Sequence, residues 1–136
     1  MDLKPSELSL LTASQNAREL VQAAAEAADD KQAFDPVALD VSSVLPFADA
    51  FLLLSGRNER QVSAIADAVE DRLHELGTRR IRREGAREGR WVLLDFGDLV
   101  VHVFHEEERL YYSLERLWSD CPVIPVALPE DRVATA

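Results

Sequence analysis

Hydrophobic residues fall at helical spacing, in alternation or in an unbroken run along the chain, and each change of pattern marks an element. From residue 6 to residue 30 Leu10, Ala13, Ala17, Leu20, Val21, Ala24 and Ala28 recur on one helical face, which predicts a long N-terminal helix. Its stripe is mostly alanine and buries little area per turn, so it needs a close partner, either a sheet or another chain. Pro36 opens a short strand over 36–40, in the initial position that strands tolerate. Residues 49–55 then hold five successive apolar positions, as expected of a central strand covered on both faces. From Asn58 the spacing returns to three and four, through Val62, Ile65, Ala66, Val69, Leu73 and Leu76. Asn58 with Gln61 forms a capping pair, and Gly77 suits the left-handed stop. Residues 78–84 alternate around Ile81 and read as a strand.

Two apolar runs, 91–96 and 99–104, flank Gly97 and Asp98. A two-residue loop with Gly first favours a type II′ hairpin turn and sets the register. Leu94 then faces Val101 and Val92 faces Val103, making one wholly apolar face for the helices. The opposite face carries Trp91, Leu93, Asp95, Val100, His102 and Phe104. Apolar residues beside a carboxylate and an imidazole suit a protein interface with a few polar anchors. Burial of Trp91 and Phe104 under the N-terminal helix is the competing reading. A further helix begins near His105, with Glu106, Glu107 and Glu108 in its favourable first turn. Leu110, Leu114 and Leu117 are expected on its inner side, with Tyr111, Tyr112 and Trp118 around them. Residues 1–120 are expected to form one domain with a mixed five-stranded α/β sheet, and the proline-containing tail 121–136 to run extended or mobile.

Composition narrows the function. Fifteen basic and 25 acidic residues give a formal charge of −10, so unspecific attraction to phosphates or anionic lipid is not expected and a basic partner is. The exception is local: residues 79–90 hold six arginines and two glutamates. Arg79, Arg82, Arg83 and Arg87 either touch RNA or simply solvate an edge strand. No apolar run is long enough for a membrane span, and the N-terminus lacks the regions of a signal peptide, so the protein is expected in the cytoplasm.

Chemistry is poorly provided for. Ser55 and Gly56 supply a strand-to-helix turn, but the next strand lacks the paired carboxylates that metal-assisted nucleotide transfer requires. His102 and His105 point to opposite faces of a strand, so no metal or cofactor is expected. Cys121 stands alone, without a neighbouring base to activate it, and His74 reads as solvated. Neither an enzyme nor a metal protein is indicated.

ALDV at 38–41, ADAFLLLSG at 48–56, RQVSAIADAV at 60–69, EGAREGRW at 84–91, VLLDFGDLVVHVF at 92–104 and ERLYYSLERLW at 108–118 resemble the ribosomal silencing factor, or Iojap, family, in the family's order. Ala50 stands where the family often has an aromatic, and Asn58 where it often has serine. The resemblance implies a nucleotidyltransferase-like α/β domain, with helices mainly on one face, that binds rather than catalyses. It implies docking on ribosomal protein fourteen of the large ribosomal subunit, steric hindrance of small-subunit joining, repression of translation and a homodimer. A large-subunit biogenesis factor using the same contact is the alternative. On this reading Trp91, Leu93, Asp95, His102, Phe104, Glu108, Tyr111 and Tyr112 meet the partner.

Overall fold

A computed structural model describes residues 14–85 and 88–129, without the side chains of Tyr111, Tyr112, Leu114 and Glu115. Helix α1 (Gln15–Asp30) begins at Ser14, whose Oγ accepts from the Ala17 amide at 3.1 Å. The helix therefore starts later than residue 6, and positions 6–13 lie outside the described residues. Strands β1 (Phe34–Asp40) and β2 (Ala50–Gly56) pair antiparallel. Asn58 caps α2 (Glu59–Glu75) through its Oδ1, 2.8 Å from the Gln61 amide, and Gly77 ends it at φ +85°. The strand expected over 78–84 shortens to β3 (Arg82–Glu84), because Thr78–Ile81 remain loop and Ile81 is exposed.

The hairpin forms in the register read from its turn. Strands β4 (Trp91–Asp95) and β5 (Leu99–His105) pair Val92 with Val103, Leu94 with Val101 and Trp91 with Phe104, and Gly97 adopts φ +88°. Helices α3 (Glu106–Tyr112) and α4 (Leu114–Leu117) follow, broken at Ser113 by a left-handed φ of 48°. The tail contributes a sixth strand, β6 (Val123–Ile124), where five strands were expected. Two residues are too short to show alternation. The sheet order is β3-β4-β5-β2-β1-β6, with β2 and β5 parallel and the other pairs antiparallel.

Helices α1 and α2 cover one face. There Ala17, Val21, Ala24 and Ala28 meet Leu52, Leu54, Val92, Leu94, Leu99, Val101 and Val103, all essentially inaccessible. The alanine stripe thus finds its cover in the sheet and α2. Small side chains let the helix backbone lie close, compensating for the modest area each buries. The opposite face holds a smaller cluster of Leu39, Val41, Phe51, Leu53, Val100, Phe104 and Cys121. Apolar residues on both sides explain why β2 reads as an unbroken hydrophobic run.

Residues 121–129 of the tail run extended, and they are anchored. Asp40 donates its amide to the Pro122 carbonyl at 2.8 Å, Ile124 is buried, and Gln22 exchanges two side-chain hydrogen bonds with the Ala127 backbone at 2.7 and 3.0 Å.

Candidate functional site

The second face of the hairpin is layered. Val100, His102 and Phe104 of β5 are buried, while Trp91, Leu93 and Asp95 of β4 are half-buried. The described helix α1 packs on the other face and does not cover this one. Phe104 and His102 instead lie beneath Trp91 and support it. The Trp91 ring sits 4.9 Å from the Phe104 ring, and its indole N–H donates to His102 Nδ1 at 3.2 Å. Phe51 contacts the His102 ring edge-on at 4.9 Å and Trp118 at 5.7 Å. With Nδ1 accepting, the neutral imidazole carries its proton on Nε2, which is buried and has no hydrogen-bond partner among the described residues. Burial lowers the His102 pKa to about 4, so the ring is neutral at physiological pH.

Asp95 is tied into its own turn. Its Oδ1 accepts from the Gly97 amide at 2.8 Å, and its Oδ2 lies 3.8 Å from Arg82. Such a carboxylate organises the hairpin whether or not a partner arrives.

Beside Trp91 opens a groove of about 500 Å³, lined by Glu84, Gly85, Glu88, Arg90, Trp91, Leu93 and Glu108. Arg90 forms its outer brace. It donates to Glu108 at 2.9 and 2.7 Å and to Glu107 at 2.9 Å, and approaches Glu59 at 3.6 Å, joining the starts of α3 and α2. The hydrogen bond from Arg90 holds the Glu107 carboxyl below its ordinary pKa. His105 caps α3 by accepting from the Glu107 amide at 3.1 Å.

The pattern expected along α3 and α4 is inverted at the described positions. Leu110 and Leu117 are 80% and 71% exposed, whereas Arg109 is buried. Arg109 donates to Ser55 Oγ at 2.8 Å and to the Asp35 carbonyl at 2.7 Å. The reason is positional: residue 109 lies over the carboxyl end of β2, where a hydroxyl and a carbonyl need donors. The Ser113 break then resets the helical phase before Leu117. Tyr111 and Tyr112 belong to α3, but their side chains lie outside the described residues.

Most of the arginine stripe is engaged by the chain's own carboxylates. Arg83 reaches Asp67 at 3.0 Å and Glu70 at 3.3 Å, Arg80 reaches Glu70 at 3.3 Å, and Arg82 reaches Glu84 at 3.6 Å. Arg79 is exposed without an ion pair among the described residues, and Arg87 lies outside them. His74 is exposed near the end of α2. Cys121 is buried, and burial together with Asp40 and Asp120 pushes its thiol pKa up, away from nucleophilic character. Among the described residues no group of His, Cys, Asp and Glu could hold a metal, and no helix is long and apolar enough to cross a membrane.

The arrangement brings together a braced indole, an apolar neighbour in Leu93 and a groove rimmed by glutamates. Sequence reasoning missed Arg90 as the brace and Arg109 as the clamp. A hydroxyl at Ser55, inside an otherwise apolar strand, is the signal that a buried donor had to come from elsewhere.

The family profile described as ribosomal silencing factor during starvation matches residues 14–136. The chain is 47% identical over 108 residues to the ribosomal silencing factor of Bacillus subtilis, covering 79% of this chain and 92% of that protein. It is 31% identical over 107 residues to the chloroplastic Iojap protein of Zea mays, covering 79% of this chain and 46% of that one. A crystal structure from Bacillus halodurans superposes with a TM-score of 0.71 at 45% identity, covering 80% of this chain and 99% of that one. One from Chromobacterium violaceum gives 0.74 at 34% identity, covering 83% and 89%.

Proposed function

The chain belongs to the ribosomal silencing factor family, and from that premise we propose that it represses translation by docking on ribosomal protein fourteen of the large subunit and obstructing the joining of the small subunit. The observation that carries this reading is the hairpin face. Trp91 is held in place from beneath, stands half-exposed next to Leu93, and borders a groove rimmed by glutamates. Interfaces concentrate their energy in such anchored aromatics, and the −10 charge of the chain favours a basic partner. Trp91 and Leu93 make the apolar contact, Glu108 flanks it, Asp95 fixes the hairpin end, His102 and Phe104 act from below, and Tyr111 and Tyr112 of α3 belong to the same proposal.

The mechanism is steric and requires no reaction. Binding energy is gathered on one small face, and the bulk of the domain occupies the space into which the other subunit would move. The protein acts in the cytoplasm, without a cofactor and without catalysis. Among the described residues Arg79 is the member of the arginine stripe best placed to meet ribosomal RNA, since Arg82 and Arg83 already face carboxylates. A homodimer belongs to the same proposal, supported by large apolar side chains left outside, Phe47, Leu110 and Leu117 among them. The test is whether the purified chain, added to purified subunits, binds the large one and lowers the yield of joined ribosomes.

A further inference from the structure

Resting on the docking reading, we propose that the groove beside Trp91 is a subsite for a side-chain guanidinium of the partner, laid against the indole and bonded by Glu84 and Glu88. The indole is a fixed platform. His102 accepts its N–H at 3.2 Å and Phe104 packs against it at 4.9 Å, so the ring needs little ordering when a ligand arrives. The groove wall is built close to it. Gly85 adopts φ +80°, and a Cβ there would collide with the Trp91 carbonyl oxygen, so only glycine lets the loop descend this far.

Charge then selects the occupant. Among the described residues the one cation lining the groove is Arg90, and it is already engaged by Glu107, Glu108 and Glu59. That leaves Glu84, whose ion pair is with exposed Arg82 at 3.6 Å, and Glu88, which has no ion-pair partner among the described residues. An anion would meet these carboxylates, and a purely apolar side chain would strip their water without replacing it. A cation satisfies both the carboxylates and the π face. Guanidinium fits better than ammonium, because it is planar, weakly hydrated, able to stack and able to bond two oxygens through its fork.

The test has one arm without the ribosome and one with it. In the first, N-acetyl-argininamide is titrated to tens of millimolar into the isotope-labelled full chain, and the Trp91 indole N–H and Gly85 amide resonances are followed. Saturable shifts are expected, weaker with the lysine analogue and absent with the norleucine analogue or in Glu84→Gln/Glu88→Gln. No shift, or equal shifts from norleucine, overturns the subsite. In the second arm, Glu84→Gln/Glu88→Gln should bind large subunits about tenfold more weakly, while Asp30→Asn/Glu75→Gln, acidic residues lining a separate groove between α1 and α2, should bind like the parent. Equal loss in both pairs, or no loss in the first, overturns the subsite and leaves the docking reading standing. Failure of the parent chain to bind large subunits at all overturns both.

Discussion

Trp91 and His102 share a hydrogen bond that joins the surface of the hairpin to its interior: a half-exposed indole donates its N–H to the Nδ1 of a buried imidazole at 3.2 Å. The bond aims the indole and confines the imidazole proton to Nε2. It also has a consequence for acid stability. His102 stays neutral in the folded chain down to about pH 4, whereas in the unfolded chain it takes up a proton near 6.5. Between those values the unfolded state binds more protons, so stability falls as pH drops. The loss is absent above the unfolded pKa, grows by about 1.4 kcal/mol per pH unit and levels off below pH 4, near about 3 kcal/mol in all. Urea denaturation from pH 7 to 4 should therefore show a steeper decline for the parent than for His102→Phe. Parallel declines would mean that the imidazole titrates normally.

Arg109 anchors α3 to the carboxyl end of β2 and to Asp35, whose φ is 50°. Arg109→Leu removes both donors and strands a buried hydroxyl, so it should cost about 2–4 kcal/mol in chemical denaturation. Arg109→Lys should recover only part, since one ammonium lacks the fork that spans two acceptors. A loss below about 1 kcal/mol for the leucine variant would show that the clamp is dispensable.

Two glycines separate backbone strain from steric collision. Gly77 and Gly85 both have positive φ, yet a Cβ on Gly77 meets nothing within 4 Å, whereas one on Gly85 strikes the Trp91 carbonyl. Gly77→Ala should cost about 1 kcal/mol, the left-handed penalty alone. Gly85→Ala should cost clearly more and shift the Trp91 resonances. Equal costs with undisturbed Trp91 signals would contradict the packing described for the groove wall.

The tail is tested at Ile124, which is 3% exposed and packs with the main core. Ile124→Ala should destabilise the chain by about 2–4 kcal/mol. Val123→Ala, at an exposed neighbouring position, should change stability by less than about 0.5 kcal/mol. Similar small effects at both sites would mean that the tail contributes no packing.

Elements with a repeating signal were legible beforehand. The Gly97–Asp98 loop gave the hairpin register, and the spacing from Val62 to Leu73 gave α2, because both are local consequences of turn geometry and helical period. What was illegible depends on non-local partners. Val123 and Ile124 become a strand only because β1 offers its edge. Leu110 and Leu117 look inward on a continuous helix, but the Ser113 break changes the phase, and the inward position falls to Arg109. The candidate face was legible as a face, through alternation along β4 and β5. Its division into half-buried Trp91 and buried His102 and Phe104 was not, because Phe51 and Trp118 arrive from distant segments.

Subunit joining, followed by sucrose-gradient sedimentation of purified subunits, addresses the central claim. Added in excess, the parent chain should migrate with the large subunit and not the small one, and should reduce the joined-ribosome peak. Trp91→Ala, with its fold verified by circular dichroism, should bind about 1–3 kcal/mol more weakly and restore joining accordingly. A factor acting only in assembly would bind precursor particles and leave joining of mature subunits untouched. An unchanged joined-ribosome peak at saturating parent chain, or selective migration with the small subunit, would contradict silencing by occupancy.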